Sequence, residues 1–425
     1  MQTHYLRFFL PLAATSVLFV IGNQARNGIL ARYPDPARHL STYAYALSAF
    51  AIFWSANNFV PQLNNVFARS AQGHRVARNA VWLVNIGSTS VLLLLALTPL
   101  GTYVFGRVFH IKGALLQQVQ FYVGIFAPLL PLAGQARLLE GLLVQSGCNR
   151  LVTLAQFIDA CVLVTTLWVA FSRHVPPMAA LLASHYAALL TSLGVLTLLY
   201  KRYYALPAEA AYTTLTYREV LRFLWPTIVT SLMFTLSRPV LYACLSRTEQ
   251  PLIAVAALRI SYDVLAAVQQ VSNQFRHFFV SFGDQEDLPG KRNFMRAVAV
   301  ALTLILGLSV LPPIRDWVYG AALGLQGAIL TQTVAATTVM LCGPALLTTR
   351  NYYHGRLLAR TKPRGMAAGA ILRVAVLCAS GLILLKLGYL NTSFAAVSLL
   401  LGFMAEVLIS RLALRRTLTA DELRH

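Results

Sequence analysis

The chain has 425 residues, of which 57% are hydrophobic and only 12% charged, and its mean hydropathy is +0.62. Soluble domains carry about 25% charged residues, so this composition excludes one and predicts a membrane protein. A formal net charge of +21 would suit nucleic acid only on a basic soluble face; the apolar segments leave no room for one, and no nucleic-acid partner is expected.

A membrane-crossing helix needs about 20 mostly apolar residues. Twelve such spans are predicted. The first six run over 6–31, 40–67, 79–106, 114–147, 150–172 and 178–200. The second six run over 218–245, 251–282, 293–314, 320–352, 365–386 and 390–414. The opening apolar stretch carries Arg7 and no small-residue cleavage site, so it is read as the first span and not as a signal peptide. KRYYALPAEAAYTTLTYRE (201–219) is the longest connection, a cytoplasmic linker between an N-lobe over 1–200 and a C-lobe over 220–425 with a short cytoplasmic tail. In GDQEDLPGKRN (283–293), Pro289-Gly290 reads as a turn.

Basic residues test the count, because cytoplasmic loops concentrate Lys and Arg. With the N-terminus inside, the inner segments hold 20 of them and the outer segments eight. Both termini are therefore expected in the cytoplasm. The five cysteines, Cys148, Cys161, Cys244, Cys342 and Cys378, are scattered through apolar segments and read as small buried residues, not as disulfides or metal ligands.

An internal repeat supports the two halves. LRFFLPLAATSVLFVIGNQARNGILAR (6–32) aligns without gaps on LRFLWPTIVTSLMFTLSRPVLYACLSR (221–247), with nine of 27 positions identical. The matches include Arg7/Arg222, Pro11/Pro226, Thr15/Thr230, Ser16/Ser231 and Arg32/Arg247, which apolar composition alone does not produce. More weakly, NNFVPQLNN (57–65) echoes QQVSNQFRH (269–277). Six spans per copy give two parallel lobes, an arrangement of transporters that bind substrate near mid-membrane.

Seven arginines lie within spans, namely Arg26, Arg137, Arg238, Arg259, Arg276, Arg350 and Arg373, against four acids, Glu140, Asp159, Asp263 and Glu406. Intramembrane charges face a bundle interior or a wet cavity and mark functional sites. Structural pairing competes with that reading. Arg137 and Glu140 are three apart, Arg259 and Asp263 four apart, and Arg373 has Glu406 as a partner in the next span. Arg350 and Arg276 lie near span ends, where a long side chain snorkels to the interface. Arg238 has no acid in its span and lies deep, beside Pro239. Arg276 belongs to a polar stripe with Gln270, Asn273, Gln274 and His277. Arg26 sits in GNQARN, where Asn23, Gln24 and Asn27 cover much of one turn. Asn58 adds a polar group in the second span. Spans 1, 2, 7 and 8 are thus the expected cavity walls. Three uncompensated arginines predict an anionic cargo, because guanidinium matches carboxylate or phosphate bidentately.

Enzyme readings find no support. There is no phosphate-cradling glycine loop, no metal spacing of His, Cys and Asp, and no nucleophile motif. The chain is read as a non-enzyme without cofactor.

RFFLPL…GNQARN in span 1, FLWP…LSRPV…LSR in span 7, Ser261 to Phe282, Gly343 to Gly355, ILR…AS (371–380) and Gly402 to Glu406 together resemble the progressive ankylosis protein family. That family lies within the superfamily of multidrug and toxin extrusion transporters and lipid-linked oligosaccharide flippases. The resemblance implies an all-α polytopic membrane protein, about twelve helices in two parallel six-helix lobes, and efflux of pyrophosphate, ATP or citrate. Its pattern covers Gln24, Asn27, Asp159, Arg238, Pro239, Tyr262, Arg276, Arg350, Lys362, Arg373 and Glu406. Asn23 and Gln274 stand where animal members carry acids, and Arg26 where they carry an apolar residue, so this cavity is expected to be more positive. The substrate-binding set is therefore Arg238, Arg276, Arg26, Asn23, Gln24, Asn27, Asn58, Tyr262, Gln270, Gln274 and Arg350.

The expected function is alternating-access export of small polyvalent anions, with H+ or Na+ as possible coupling ion. Flipping of a lipid-linked anionic headgroup and multidrug export are the alternatives. The expected setting is a bacterial cell membrane, and the expected state is a monomer in a lipid bilayer.

Overall fold

The computed structural model describes residues 2–67, 70–204, 218, 228–229, 231–283, 287–360 and 364–422. These residues are almost all helical, with no strand among them. Among the described residues, nine helices are long and apolar enough to cross a membrane. Their number and length make this a multi-pass membrane protein.

The first helix, α1, is Gln2–Leu30. Arg32 follows it and donates to the carbonyl of Gly28 and to those of Ala321 and Ala322, at 2.7, 2.8 and 2.8 Å. The second expected span is not one helix. It is α2 (Pro36–Trp54), a 3-10 segment (Ser55–Phe59) and α3 (Val60–Phe67). The break has a local cause, since Pro61 has no N–H to give the Asn57 carbonyl and Val60 N–H bonds it instead. Then come α4 (Ala71–Leu97), α5 (Pro99–Val108), α6 (Gly113–Phe126), α7 (Leu129–Gln145), α8 (Asn149–Ser172) and α9 (Pro177–Tyr203). Prolines mark these interruptions too, at Pro99 and at Pro128, which splits the fourth span into α6 and α7.

Residues 219–227 and 230 of the seventh span, with Arg222 and Pro226 of the repeat, lie outside the described residues; its end is α10 (Ser237–Leu245). The chain continues as α11 (Pro251–Phe282), α12 (Leu288–Val310), α13 (Gly327–Val339), α14 (Gly343–Ala359), α15 (Arg364–Lys386) and α16 (Thr392–Glu422). Pro289-Gly290 is not a turn. Both residues lie in the first turn of α12, where proline is favoured, and Gly290 N–H donates to the capping Asp287 carboxylate at 3.2 Å.

Packing divides the chain into two compact units, residues 1–41 with 240–425, and residues 42–239. These units do not coincide with lobes drawn at the 201–219 linker, because α1 packs with the second half. Its Phe9 stacks on Phe275 of α11 at 4.5 Å, and Tyr5 meets Phe278 edge-on at 5.0 Å. Tyr5 also donates to Asp287 at 2.8 Å. In the same unit, a Cβ on Gly355 would stand 2.7 Å from the Phe279 ring, so glycine lets α14 approach α11 closely.

In the other unit, Asn57 and Asn85 exchange two amide hydrogen bonds of 2.9 and 2.8 Å, both side chains being buried. Gly134 makes room for them, since a Cβ there would lie 2.3 Å from Asn85 Nδ2. Asn64 is buried as well and donates to the Leu138 carbonyl at 2.8 Å. Asn85→Leu leaves the Asn57 amide buried and unpaired, at about 1–3 kcal/mol. The expected result is a lower thermal midpoint of the purified protein, recovered in large part by Asn57→Leu/Asn85→Leu.

Candidate functional site

The arginines sort by partner. Arg137 pairs with Glu140 at 2.7 Å within α7, as its spacing predicts. Arg373 of α15 pairs with Glu406 of α16 at 2.7 Å, also as predicted, with both side chains buried. Arg259 and Asp263 are 3.8 Å apart in α11, and both are buried. Asn27 completes that pair, donating to Asp263 at 2.9 Å and accepting from Arg259 Nε at 3.0 Å. Fully buried Asn27 therefore fastens α1 to α11, and its amide oxygen and nitrogen are both used inside the protein.

Arg350 does not snorkel. It is fully buried, donates to Asn273 at 3.0 Å and lies 3.8 Å from Glu406. With Arg373 it also flanks the ring of Phe403, each guanidinium 5.5 Å from the ring centroid. One carboxylate thus serves two guanidiniums.

Arg276 is held differently. Its Nε donates to Asn351 Oδ1 at 2.8 Å and its Nη2 meets His354 Nδ1 at 3.2 Å. Guanidinium only donates, so His354 Nδ1 accepts, and its ring proton is on Nε2, facing Ser410 Oγ at 3.1 Å and Glu406 Oε1 at 3.5 Å. Asn351 and His354 are buried whereas Arg276 is half-buried. Among the described residues Arg276 makes no ion pair, and its Nη1 stays outside these bonds. Arg26 is similar, with Asn23 Oδ1 accepting from its Nη1 at 2.8 Å and no acid partner among the described residues. Beside it, Gln24 has a buried side-chain oxygen without a hydrogen-bond partner among the described residues.

These two cations do not meet. Asn27 is level with Asp263 and Phe9 with Phe275, so α1 and α11 run antiparallel. Asp263 and Arg276 are 13 residues apart in one continuous helix, about 20 Å at 1.5 Å per residue. Arg26 and Arg276 therefore lie at different levels of this helix pair. Along α11, Tyr262 is buried, while Gln270 and Gln274 are half-buried and joined by a 3.3 Å bond from Gln274 Nε2 to the Gln270 carbonyl. The side chain of His277, like Lys362, lies outside the described residues.

Asn58 and Arg238 belong to the other unit. Asn58 is exposed and donates to Ser231 Oγ at 3.0 Å; Arg238 is half-buried at the start of α10. A groove of about 570 Å³ in that unit, lined by Ala96, Leu97, Thr98, Pro99, Thr102, Tyr103 and Gln120, holds no charged side chain. No group of three His, Cys, Asp or Glu suited to a metal occurs among the described residues.

Sequence reasoning missed Asn351 and His354. A signal for them exists in a second stretch of the repeat, where Pro131…Arg137 aligns on Pro344…Arg350. In that register Leu138 and Gly141 correspond to Asn351 and His354, so polar groups replace apolar ones only in the second half.

Solved structures share this architecture along nearly the whole chain. An inward-facing multidrug resistance MATE family transporter of the MOP superfamily superposes with a TM-score of 0.74 at 11% identity, covering 96% of this chain and 98% of the other. A MOP superfamily transporter from Pyrococcus furiosus gives 0.64 at 13% identity, covering 96% of each chain. The lipid II flippase MurJ gives 0.62 at 12% identity, covering 95% of this chain and 87% of its own. The fold that these structures share with this chain is MATE-like. The progressive ankylosis protein family matches over residues 2–305, and the chain belongs to that family.

Proposed function

We propose that this membrane transporter exports small polyvalent anions of the pyrophosphate, ATP or citrate kind by alternating access. One observation carries the reading: Arg276 is fixed by two neutral acceptors, so its positive charge is retained for a ligand. Arg373, by contrast, is held by the Glu406 carboxylate at 2.7 Å. Charge-assisted hydrogen bonds are worth about 1.5–3 kcal/mol each, enough for binding that still permits release.

With both termini cytoplasmic, as the loop charges lead one to expect, Arg276 is the inner station and Arg26 the outer one. Cargo is captured at the first and leaves past the second. Gln270 and Gln274, between these levels, supply neutral hydrogen bonds. The Pyrococcus furiosus neighbour is described as having a binding pocket of reverse polarity that suggests a different function. Positions held by arginine without an acid partner among the described residues are the corresponding reading here.

The test is flux of labelled citrate, pyrophosphate and ATP, side by side, from the purified protein in liposomes, with an imposed pH or Na+ gradient. Saturable flux of one of them, lost in folded Arg238→Ala, is the expected result. Absence of flux for all three, with folded protein, rejects the reading and leaves flipping of a lipid-linked anionic headgroup as its successor.

A further inference from the structure

We infer that Asn351 and His354 are positioning residues that set the orientation and the unspent charge of Arg276, so that its Nη1 side is the recognition edge for a carboxylate or phosphate. The inference rests on the anion-transport reading and deepens it. The Nε and Nη2 hydrogens lie along one edge of the guanidinium plane, and that edge is taken by Asn351 Oδ1 at 2.8 Å and His354 Nδ1 at 3.2 Å. Both acceptors are buried in α14, at 0% and 2% exposure, so the guanidinium is gripped from the protein side while Arg276 itself stays half-buried.

Neutrality of the grip is the point. An acid at position 351 would hold the same edge and cancel the charge. Glu406 is close by, 3.5 Å from His354 Nε2, yet its nearest cation is Arg373. His354 stands between that carboxylate and Arg276, accepting from one and facing the other with its N–H. The imidazole therefore links Arg276 to the Arg350–Glu406–Arg373 cluster without giving it a counter-charge. Gly355 allows this, because a larger residue would push α14 away from Phe279 and withdraw both acceptors.

The deciding experiment measures citrate and pyrophosphate flux in liposomes, separating KM from kcat, with thermal midpoints taken on the same preparations. Asn351→Asp is expected to fold, with an unchanged or higher midpoint, and to raise KM at least tenfold with little change in kcat. His354→Leu is expected to raise KM, and His354→Gln, whose carbonyl can still accept from Arg276, to restore most of it. Arg276→Gln separates the two levels of the argument. If Arg276→Gln loses transport while Asn351→Asp keeps the wild-type KM, the positioning role is wrong and the transport reading stands. If Arg276→Gln transports like wild type, Arg276 is not part of the site and the inference falls with it; if the wild-type protein carries neither anion, the transport reading itself falls. Should Asn351→Asp not fold, the two His354 variants decide, and an equal KM in both overturns the inference.

Discussion

Arg276→Gln raises the KM for a polyvalent anion roughly 10- to 150-fold, the equivalent of one lost charge-assisted hydrogen bond at about 1.5–3 kcal/mol. The variant keeps its fold, because the side chain is half-buried and holds no ion pair among the described residues. Glutamine also retains a donor for Asn351, so α11 and α14 stay together. Arg276→Lys recovers only part of the affinity, since an ammonium cannot grip Asn351 and His354 along one edge and present a second edge to the ligand. Initial rates of labelled citrate flux in liposomes, over a range of concentrations, check both variants. A wild-type KM in folded Arg276→Gln removes this residue from the site.

The second large effect concerns stability and falls on Glu406. Its carboxylate is buried and faces Arg373 at 2.7 Å and Arg350 at 3.8 Å, both buried as well. Glu406→Gln leaves those two guanidiniums without their anion. Breaking a buried pair from one side costs about 3–5 kcal/mol, a large part of the total stability of an average domain. The expected outcome is little folded protein, or a much lower thermal midpoint in detergent. Arg373→Leu/Glu406→Leu recovers part of the loss, because removing both charges removes the desolvation cost of each. A midpoint in Glu406→Gln equal to wild type would show that the cluster does not hold α14, α15 and α16 together.

These two arginine environments mark how far the sequence could be read. The local pairs were visible because helical geometry places residues three or four apart on one face, and Arg137–Glu140 and Arg259–Asp263 follow that rule. Arg373–Glu406 was visible because charges are so rare in these spans that few pairings exist. For Arg350, read both as a snorkelling residue and as part of the binding set, the position near a span end says nothing of what α11 and α16 bring against it. The helical spans themselves follow from hydropathy, and their interruptions at Pro61, Pro99 and Pro128 from missing N–H groups.

What resisted reading was tertiary. Polar residues of one span look alike in sequence, yet Asn57 and Asn64 are spent within their own unit while Asn58 is exposed. Likewise Asn27 and Arg26 are neighbours in GNQARN, but one is locked to Arg259 and Asp263 and the other bonds only to Asn23 among the described residues. The antiparallel course of α1 on α11 separates Arg26 from Arg276, and no single-helix pattern encodes that relation. It places two of the three arginines expected to bind the anion at different levels of one helix pair.

Calorimetric titration of citrate into the purified protein, beside Arg276→Gln and beside an organic cation of similar size, addresses the central claim most directly. The account predicts saturable citrate binding that weakens at least tenfold in the variant and no binding of the cation. Equal citrate binding by wild type and variant, or preference for the cation, would contradict it.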